Sequence, residues 1–358
     1  MKHVTSAFLI AMSLWAAGVL PAPAQTPAPK PAADTTPEKH DYAGFDRFDV
    51  YAAHRSRPME ASIWYPAGTH IYFAPAGRSM LWEPVTAYIG AAVKPGKHPL
   101  VLLSHGSGGN MVTMSWLASQ LALKGAIVLG VNHPGTTSGD SSPRRTVYLG
   151  QRAADISATL DQVLANPEFA SFIDPDNISV VGFSLGGTTV LNLAGMQFDR
   201  QKMRDYCGRF GDKTQDCAFF RKGGVDFDHL PDDFAAKSPD HRIKRFVAIE
   251  PGLTDAVNDA SLTDVKDDVL FIRLGRENGW RATDFGPTGS NLLSKLSHAS
   301  LAVFAPAYHL TFLPECKPGA AETLKKMEDD PLCSDPAGTD RKAVHDGMVN
   351  AIGTFLKL

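Results

Sequence analysis

The chain has 358 residues, 44% of them hydrophobic, so it can bury one large core or two modest ones and is not expected to be disordered. Its 35 basic and 38 acidic residues give a formal net charge of -3, and the basic residues are scattered rather than clustered. The sequence has no zinc-finger, phosphate-loop or paired metal-ligand spacing. We therefore expect no nucleic-acid partner and no metal or nucleotide cofactor.

The N-terminus has the features of an export signal. Lys2 gives a positive start, residues 7–20 are apolar, and a small-residue cleavage site (APA) precedes Gln25. The apolar run is shorter than the ~20 residues that a membrane-spanning helix needs, and no cysteine lies near the cut. We therefore predict a signal peptide at 1–24, a Pro/Ala-rich tether at 25–40, no stable membrane anchor, and export to the periplasm or the medium.

The chain contains four cysteines: Cys207, Cys217, Cys316 and Cys333. An even number of cysteines in an exported chain favours two disulfides, for which three pairings are possible. We favour Cys207 with Cys217 and Cys316 with Cys333, because each pair encloses a short polar loop. Four free thiols are the alternative.

In chain order, residues 48–52 and 59–65 predict two antiparallel strands, and residues 70–98 predict a long surface loop. From residue 98, strand and helix signals alternate through HPLVLLSHGSGG, SWLASQLALKG, AIVLGVNHPG, QRAADISATLDQVLA and VVGFSLGG. Such alternation is typical of an α/β fold, in which helices cover both faces of a mostly parallel central sheet.

A polar segment, residues 197–241, interrupts this alternation and carries two of the cysteines. It is longer than a typical connection, so we predict an insertion and hypothesise that it forms a disulfide-tied cap over a pocket. The sheet resumes in RIKRFVAIE, VLFIRLG and SLAVFAP, and residues 342–358 predict a closing helix. Residues 41–358 are thus predicted to form one domain.

The stretch VVGFSLGG, residues 180–187, holds Ser184 between glycines. A turn cluster at 173–177 and a largely β-branched run at 178–181 precede it, and residues 188–196 have helical periodicity. A serine on a sharp strand-to-helix turn, called a nucleophile elbow, can project its hydroxyl from the sheet, and the helix that follows it is the elbow helix. The context favours Ser184 as a nucleophile over an ordinary residue in a glycine turn.

A nucleophilic serine needs a histidine base, an acid that orients the base, and donors for the developing oxyanion. The run HGSGG, residues 105–109, follows a strand and predicts backbone donors at the C-terminal edge of the sheet. We assign these donors to the amides of Ser107 and Leu185. His105 is interpreted as a structural histidine bonded within the loop, because it precedes the oxyanion hole.

The base is expected late in the chain, because the order in this kind of fold is serine, acid, histidine. His309, in FAPAYHLTFL, follows the last predicted strand directly, where a loop can bring its ring over Ser184. His298 lies in a stretch with helical spacing (LLSKLSHAS) and is interpreted as a surface residue. We predict His309 as the base and keep His298 and His345 as alternatives.

Three residues are candidates for the acid. Glu250 closes the strand FVAIE, Glu277 follows the next strand in LGREN, and Asp284 lies further along. The residues alone leave the choice open.

Several motifs together carry a family resemblance: YP at 65–66, LLSHGSGG, VNHPG, IDPDNISVVGFSLGG and YHLTFLPEC. Apart from the insertion, residues 45–358 resemble the dienelactone hydrolase and platelet-activating-factor acetylhydrolase-like branch of the α/β-hydrolase superfamily. In that branch an acid directly after the strand following the elbow helix, in contexts like AIDPG, can complete the triad. The matching residue here is Glu250, in AIEPG, whereas the more common acid position holds Asn278 beside Glu277.

The resemblance therefore implies Glu250 as the acid, with Glu277 as the alternative. Dienelactone hydrolases proper have a cysteine at the elbow, so Ser184 implies a serine esterase instead, acting on a small-molecule ester through an acyl-enzyme without a cofactor. A peptidase or amidase and a catalytically inactive binding protein are the rival hypotheses. The sequence leaves the acyl and alcohol groups and the oligomeric state open.

Overall fold

One ten-stranded sheet organises the computed structural model, which describes residues 41–70, 72–276 and 279–358. The predicted signal peptide, the predicted tether and the candidate acid Glu277 lie outside the described residues. The strands are β1 (Gly44–Val50), β2 (Met59–Tyr65), β3 (Phe73–Pro75), β4 (Thr86–Ile89), β5 (His98–Ser104), β6 (Ile127–Val131), β7 (Thr136–Thr137), β8 (Asp140–Ser141), β9 (Ile173–Phe183), β10 (Arg245–Ile249), β11 (Asp268–Leu274) and β12 (Ala299–Phe304).

The sheet order is β12-β11-β10-β9-β5-β6-β2-β1-β4-β3, and β7 and β8 form a separate two-stranded sheet. The six strands from β12 to β6 in this order are parallel, whereas β2 is antiparallel to both β6 and β1. The helices are α1 (Met111–Leu123), α2 (Pro143–Thr146), α3 (Leu149–Ala165), α4 (Leu185–Leu193), α5 (Arg200–Phe210), α6 (Gln215–Lys222), α7 (Ala320–Lys326) and α8 (Arg341–Leu356).

Hydrophobic cores lie on both faces of the sheet. Alternate residues of β5 enter opposite cores: Leu102 packs with α3 and α4, and Leu103 packs with α1 and α8. Strands covered on both faces must be apolar at every position, which explains the continuous run IVLGV in β6. The predicted α/β fold, with a mostly parallel sheet between two layers of helices, is confirmed.

The prediction of a long surface loop at 70–98 is wrong in part. This segment contains β3 and β4, and β4 pairs with β1 and extends the sheet. Both strands are only three or four residues long and lie beside prolines, so they lack the alternation that identifies a strand in sequence.

Residues 173–177, predicted as a turn, belong to β9, where they form an irregular part of the strand. Ile173 pairs with His98, whereas the next paired residues are Leu100 and Ile178, so residues 174–177 have no partner in β5. The helical periodicity around His298 was also misleading, because only Leu293–Lys295 forms a short 3-10 turn. Short turns can share the spacing of a helix without its length.

The polar segment 197–241 contains α5 and α6, which are joined by the disulfide Cys207–Cys217. The second disulfide is Cys316–Cys333, so the predicted pairing is confirmed. In the part of the chain that the structure describes, no helix combines the length and the apolar character that crossing a membrane requires.

Candidate active site

Ser184 lies on a sharp turn between β9 and α4. Its backbone has φ +55° and ψ -117°, a conformation that L-residues rarely adopt, and its N–H donates to the Ile249 carbonyl at 2.8 Å. A Cβ on Gly182 would lie 2.2 Å from the Gly186 oxygen, and a Cβ on Gly186 would lie 1.9 Å from the Ser104 oxygen. The flanking glycines are therefore required by close backbone contact.

His309 lies beside Ser184. It begins the 3-10 turn His309–Phe312 after β12, and its side chain is 3% exposed. Its Nε2 is 3.0 Å from Ser184 Oγ, and its Nδ1 is 3.2 Å from Glu250 Oε2. With Nδ1 donating to the carboxylate, Nε2 is free to accept the proton of the serine hydroxyl.

Glu250 is buried directly after β10, where β11 and the 3-10 turn Arg281–Thr283 satisfy its carboxylate. The Leu274 N–H donates to Oε1 at 2.8 Å, and the Thr283 hydroxyl donates to Oε2 at 2.9 Å. The Glu250 backbone has φ +48°, so the chain turns sharply where this side chain leaves the sheet. Sequence inspection missed Thr283, because its contact depends on how the segment after β11 folds back.

The other candidates lie elsewhere or make other bonds. His298 has a 57% exposed side chain, 3.9 Å from Asp268, at the opposite end of the parallel strands from Ser184. His345 is buried on α8, where its Nε2 lies 2.9 Å from the Thr311 oxygen. Asp284 accepts from Arg273 at 2.7 Å. The described candidates brought into hydrogen-bond contact with Ser184 or its partner are thus His309 and Glu250.

The run HGSGG lies close to Ser184. A Cβ built on Gly106 would be 3.3 Å from the Ser184 Cβ, and the N–H groups of Gly108 and Gly109 donate to the carbonyls of Thr136 and Gly106. Leu185 opens α4, where first-turn amides have no intrahelical acceptor. Within the described residues, the amides of Ser107 and Leu185 donate no hydrogen bond.

Aromatic rings flank the imidazole of His309. Trp280 stacks on it with ring centroids 4.4 Å apart, and Phe183 lies at 4.7 Å. Next to Trp280, the Arg281 guanidinium forms two 2.7 Å bonds to Asp255 and lies over the Phe210 ring of α5. The polar segment 197–241 therefore contacts the chain that carries Trp280.

A sequence profile of the alpha/beta hydrolase family matches residues 100–351. The chain belongs to this family. No curated protein sequence matches it.

Two solved structures are similar to this hydrolase-family chain. A ferulic acid esterase from Streptomyces cinnamoneus is 16% identical, with a TM-score of 0.55 over 90% of this chain and 91% of its own. A dienelactone hydrolase from Anabaena variabilis is 14% identical, with a TM-score of 0.42 over 81% of this chain and 96% of its own. At 16% identity, the likeness to the ferulic acid esterase concerns the fold alone.

Proposed function

We propose that the protein is a serine hydrolase that cleaves carboxylic esters of small molecules through an acyl-enzyme. One observation carries this proposal: Ser184 Oγ, both ring nitrogens of His309 and the Glu250 carboxylate form a continuous chain of contacts at 3.0 and 3.2 Å. The chain ends on a serine at the C-terminal edge of the sheet, where α/β folds bind ligands.

In the proposed reaction, Ser184 Oγ attacks the ester carbonyl while His309 Nε2 takes the hydroxyl proton. The amides of Ser107 and Leu185 donate to the oxyanion that develops on the carbonyl oxygen. His309 then gives the proton to the leaving alcohol, and a water deprotonated by His309 hydrolyses the acyl-enzyme. Glu250 keeps the imidazole in the required tautomer and stabilises its protonated form.

We also propose that the chain is exported and that segment 197–241 acts as a cap. Two disulfides in the structure favour an oxidising compartment, in agreement with the signal sequence predicted at 1–24. The contact between Arg281 and α5 supports a cap, because it joins the segment to the loop that carries Trp280 over His309.

The test is hydrolysis of p-nitrophenyl esters from acetyl to dodecanoyl by the purified protein, with Ser184→Ala as the matched variant. We expect turnover that depends on Ser184, together with covalent labelling of Ser184 by a fluorophosphonate. Labelling of Ser184 with cleavage of peptide anilides, but without ester turnover, would mean that the substrate is an amide and not an ester. A folded protein with neither labelling nor turnover would defeat the proposal.

A further inference from the structure

We infer that Arg152, which is buried on α3, is a positioning residue that fixes the direction of the Ser107 amide in the oxyanion hole. This inference rests on the proposed function. Arg152 is 1% exposed, and a buried arginine is retained only where its donors are satisfied.

Arg152 joins three parts of the structure that surround the nucleophile. Its Nε donates to the Thr189 hydroxyl on α4 at 3.0 Å, and Nη1 donates to the Thr136 hydroxyl after β6. Its Nη2 donates to the Ser104 hydroxyl at 3.1 Å and to the His105 carbonyl. The rigid, planar guanidinium therefore holds the elbow helix and the start of the HGSGG loop at a fixed separation.

The orientation of the Ser107 amide follows from its own peptide group. The Gly106 carbonyl and the Ser107 N–H belong to one trans peptide, so they point in opposite directions. The Gly106 carbonyl accepts from His105 Nδ1 at 2.7 Å and from the Gly109 N–H at 3.1 Å. Fixing this carbonyl on one side directs the Ser107 N–H to the other.

His105 can hold the Gly106 carbonyl only in one tautomer. The His133 N–H donates to His105 Nε2 at 3.0 Å, so Nε2 accepts and Nδ1 carries the proton. Burial, followed by the nearby Arg152 charge, holds the pKa of His105 well below its usual range, so the ring stays neutral.

A buried chain of hydrogen bonds, which we call the Ser104–His133–Asp155 relay, holds the Ser104 hydroxyl that accepts from Arg152. Because Arg152 donates to Ser104 Oγ, the Ser104 hydroxyl can donate to His133 Nε2 at 3.0 Å. His133 Nδ1 in turn donates to Asp155 at 2.9 Å. Arg55 donates to both Asp155 oxygens at 2.7 Å, so the acid remains paired.

The experiment compares Arg152→Lys with the wild-type protein, using p-nitrophenyl butyrate as substrate and phenylboronic acid as inhibitor. The boronate forms a tetrahedral adduct on an active serine and needs the oxyanion donors, whereas ground-state binding does not. We expect kcat to fall about 10- to 100-fold and the boronate inhibition constant to rise by a similar factor. KM should change by less than threefold.

Arg242→Lys is the matched control, because Arg242 also anchors α3, through Asp161 and the Ser157 carbonyl, but does not contact the HGSGG loop. It should leave kcat and boronate affinity within twofold. If Arg152→Lys does not fold, Ser104→Ala is the substitute, because it removes one acceptor of Arg152. It should lower kcat and the affinity for phenylboronic acid about three- to tenfold.

A lower melting temperature with unchanged boronate affinity would overturn the inference, because it would show a purely structural role. Absence of Ser184-dependent turnover in the wild-type protein would instead defeat the proposed function, and this inference with it.

Discussion

The molecule contains two groups with the same three kinds of residue. Ser184, His309 and Glu250 are linked at 3.0 and 3.2 Å. The Ser104–His133–Asp155 relay is linked at 3.0 and 2.9 Å. By distance alone, either set could be taken for a catalytic triad.

The two groups differ in access and in backbone. All three side chains of the relay are fully buried, and Ser104 is the last residue of β5, where Arg152 already donates to its hydroxyl oxygen. Ser184 lies on a turn at the sheet edge, next to the amides of Ser107 and Leu185. Neither amide donates a hydrogen bond to any of the described residues. A serine-histidine-acid arrangement therefore indicates chemistry only where a substrate carbonyl can reach both the serine and the oxyanion donors.

The sharpest way to break this comparison is to remove each serine hydroxyl in turn. Ser184→Ala should lower kcat/KM for p-nitrophenyl esters by about 10⁴-fold or more, because the nucleophile is lost. Ser104→Ala should lower it by no more than about tenfold. Equal losses in the two variants, with both folded, would show that access and backbone geometry do not distinguish the two groups.

Replacing the acid should have the next largest effect. Glu250→Gln should lower kcat about 10³- to 10⁴-fold, because an amide cannot stabilise the imidazolium. Glu277→Gln serves as the control and should change kcat less than twofold. The reverse ranking in steady-state kinetics would move the acid to Glu277.

The position of Ser184 on a sharp strand-to-helix turn could be predicted from sequence because the requirements of such a turn are local. Gly182 and Gly186 are forced by backbone contacts around Ser184, and a strand and a helix flank them. The residues alone do not select Glu250 as the partner of His309, because this contact depends on β10 lying between β9 and β11. That neighbourhood is a property of sheet order, which no short motif contains.

The relay and Arg152 could not be predicted for a different reason. Charged residues three positions apart on an amphipathic helix usually face solvent. Nothing in the sequence of α3 indicates that Arg152 and Asp155 are buried instead. Arg152 and Asp155 are buried because Ser104, Thr136 and His133 lie opposite them. Their signal is the set of partners, which only the fold brings together.

The pH dependence of stability should separate the buried histidines from the exposed ones. Burial lowers the pKa of His133 and of His345 to about 4, whereas an unfolded histidine titrates near 6.5. The unfolded state therefore binds more protons as pH falls from about 6.5 to 4, and stability decreases over that range.

Between pH 7 and pH 5 we expect a loss of about 2 kcal/mol for each of these two histidines, measured by urea unfolding. His345→Gln should reduce the loss by about that amount relative to the wild-type protein. His298→Gln, at an exposed position, should leave the slope unchanged. A wild-type free energy of unfolding that is flat between pH 7 and pH 5 would contradict the prediction.

The smallest effect is expected at the contact between segment 197–241, the proposed cap, and the site. Arg281→Gln removes the paired bonds to Asp255 and the contact with Phe210, so Trp280 should lose its fixed place against His309. We expect a two- to fivefold change in kcat/KM that differs between short and long acyl chains. Arg200→Gln, which breaks an exposed ion pair on α5, is the control. Identical acyl-chain profiles for both variants would argue against the cap.

The position of segment 197–241 has an evolutionary consequence. The chain leaves the sheet after β9, forms α4 and segment 197–241, and returns in β10, which lies directly beside β9 with Val181 opposite Val247. Because the entropy of closing a loop rises only slowly with its length, this segment can be lengthened, shortened or exchanged while both strands stay in register. Descendants of one ancestral gene could thus acquire new substrates by changing a single stretch of chain, provided that the aromatic surface beneath Arg281 is kept or replaced together with it.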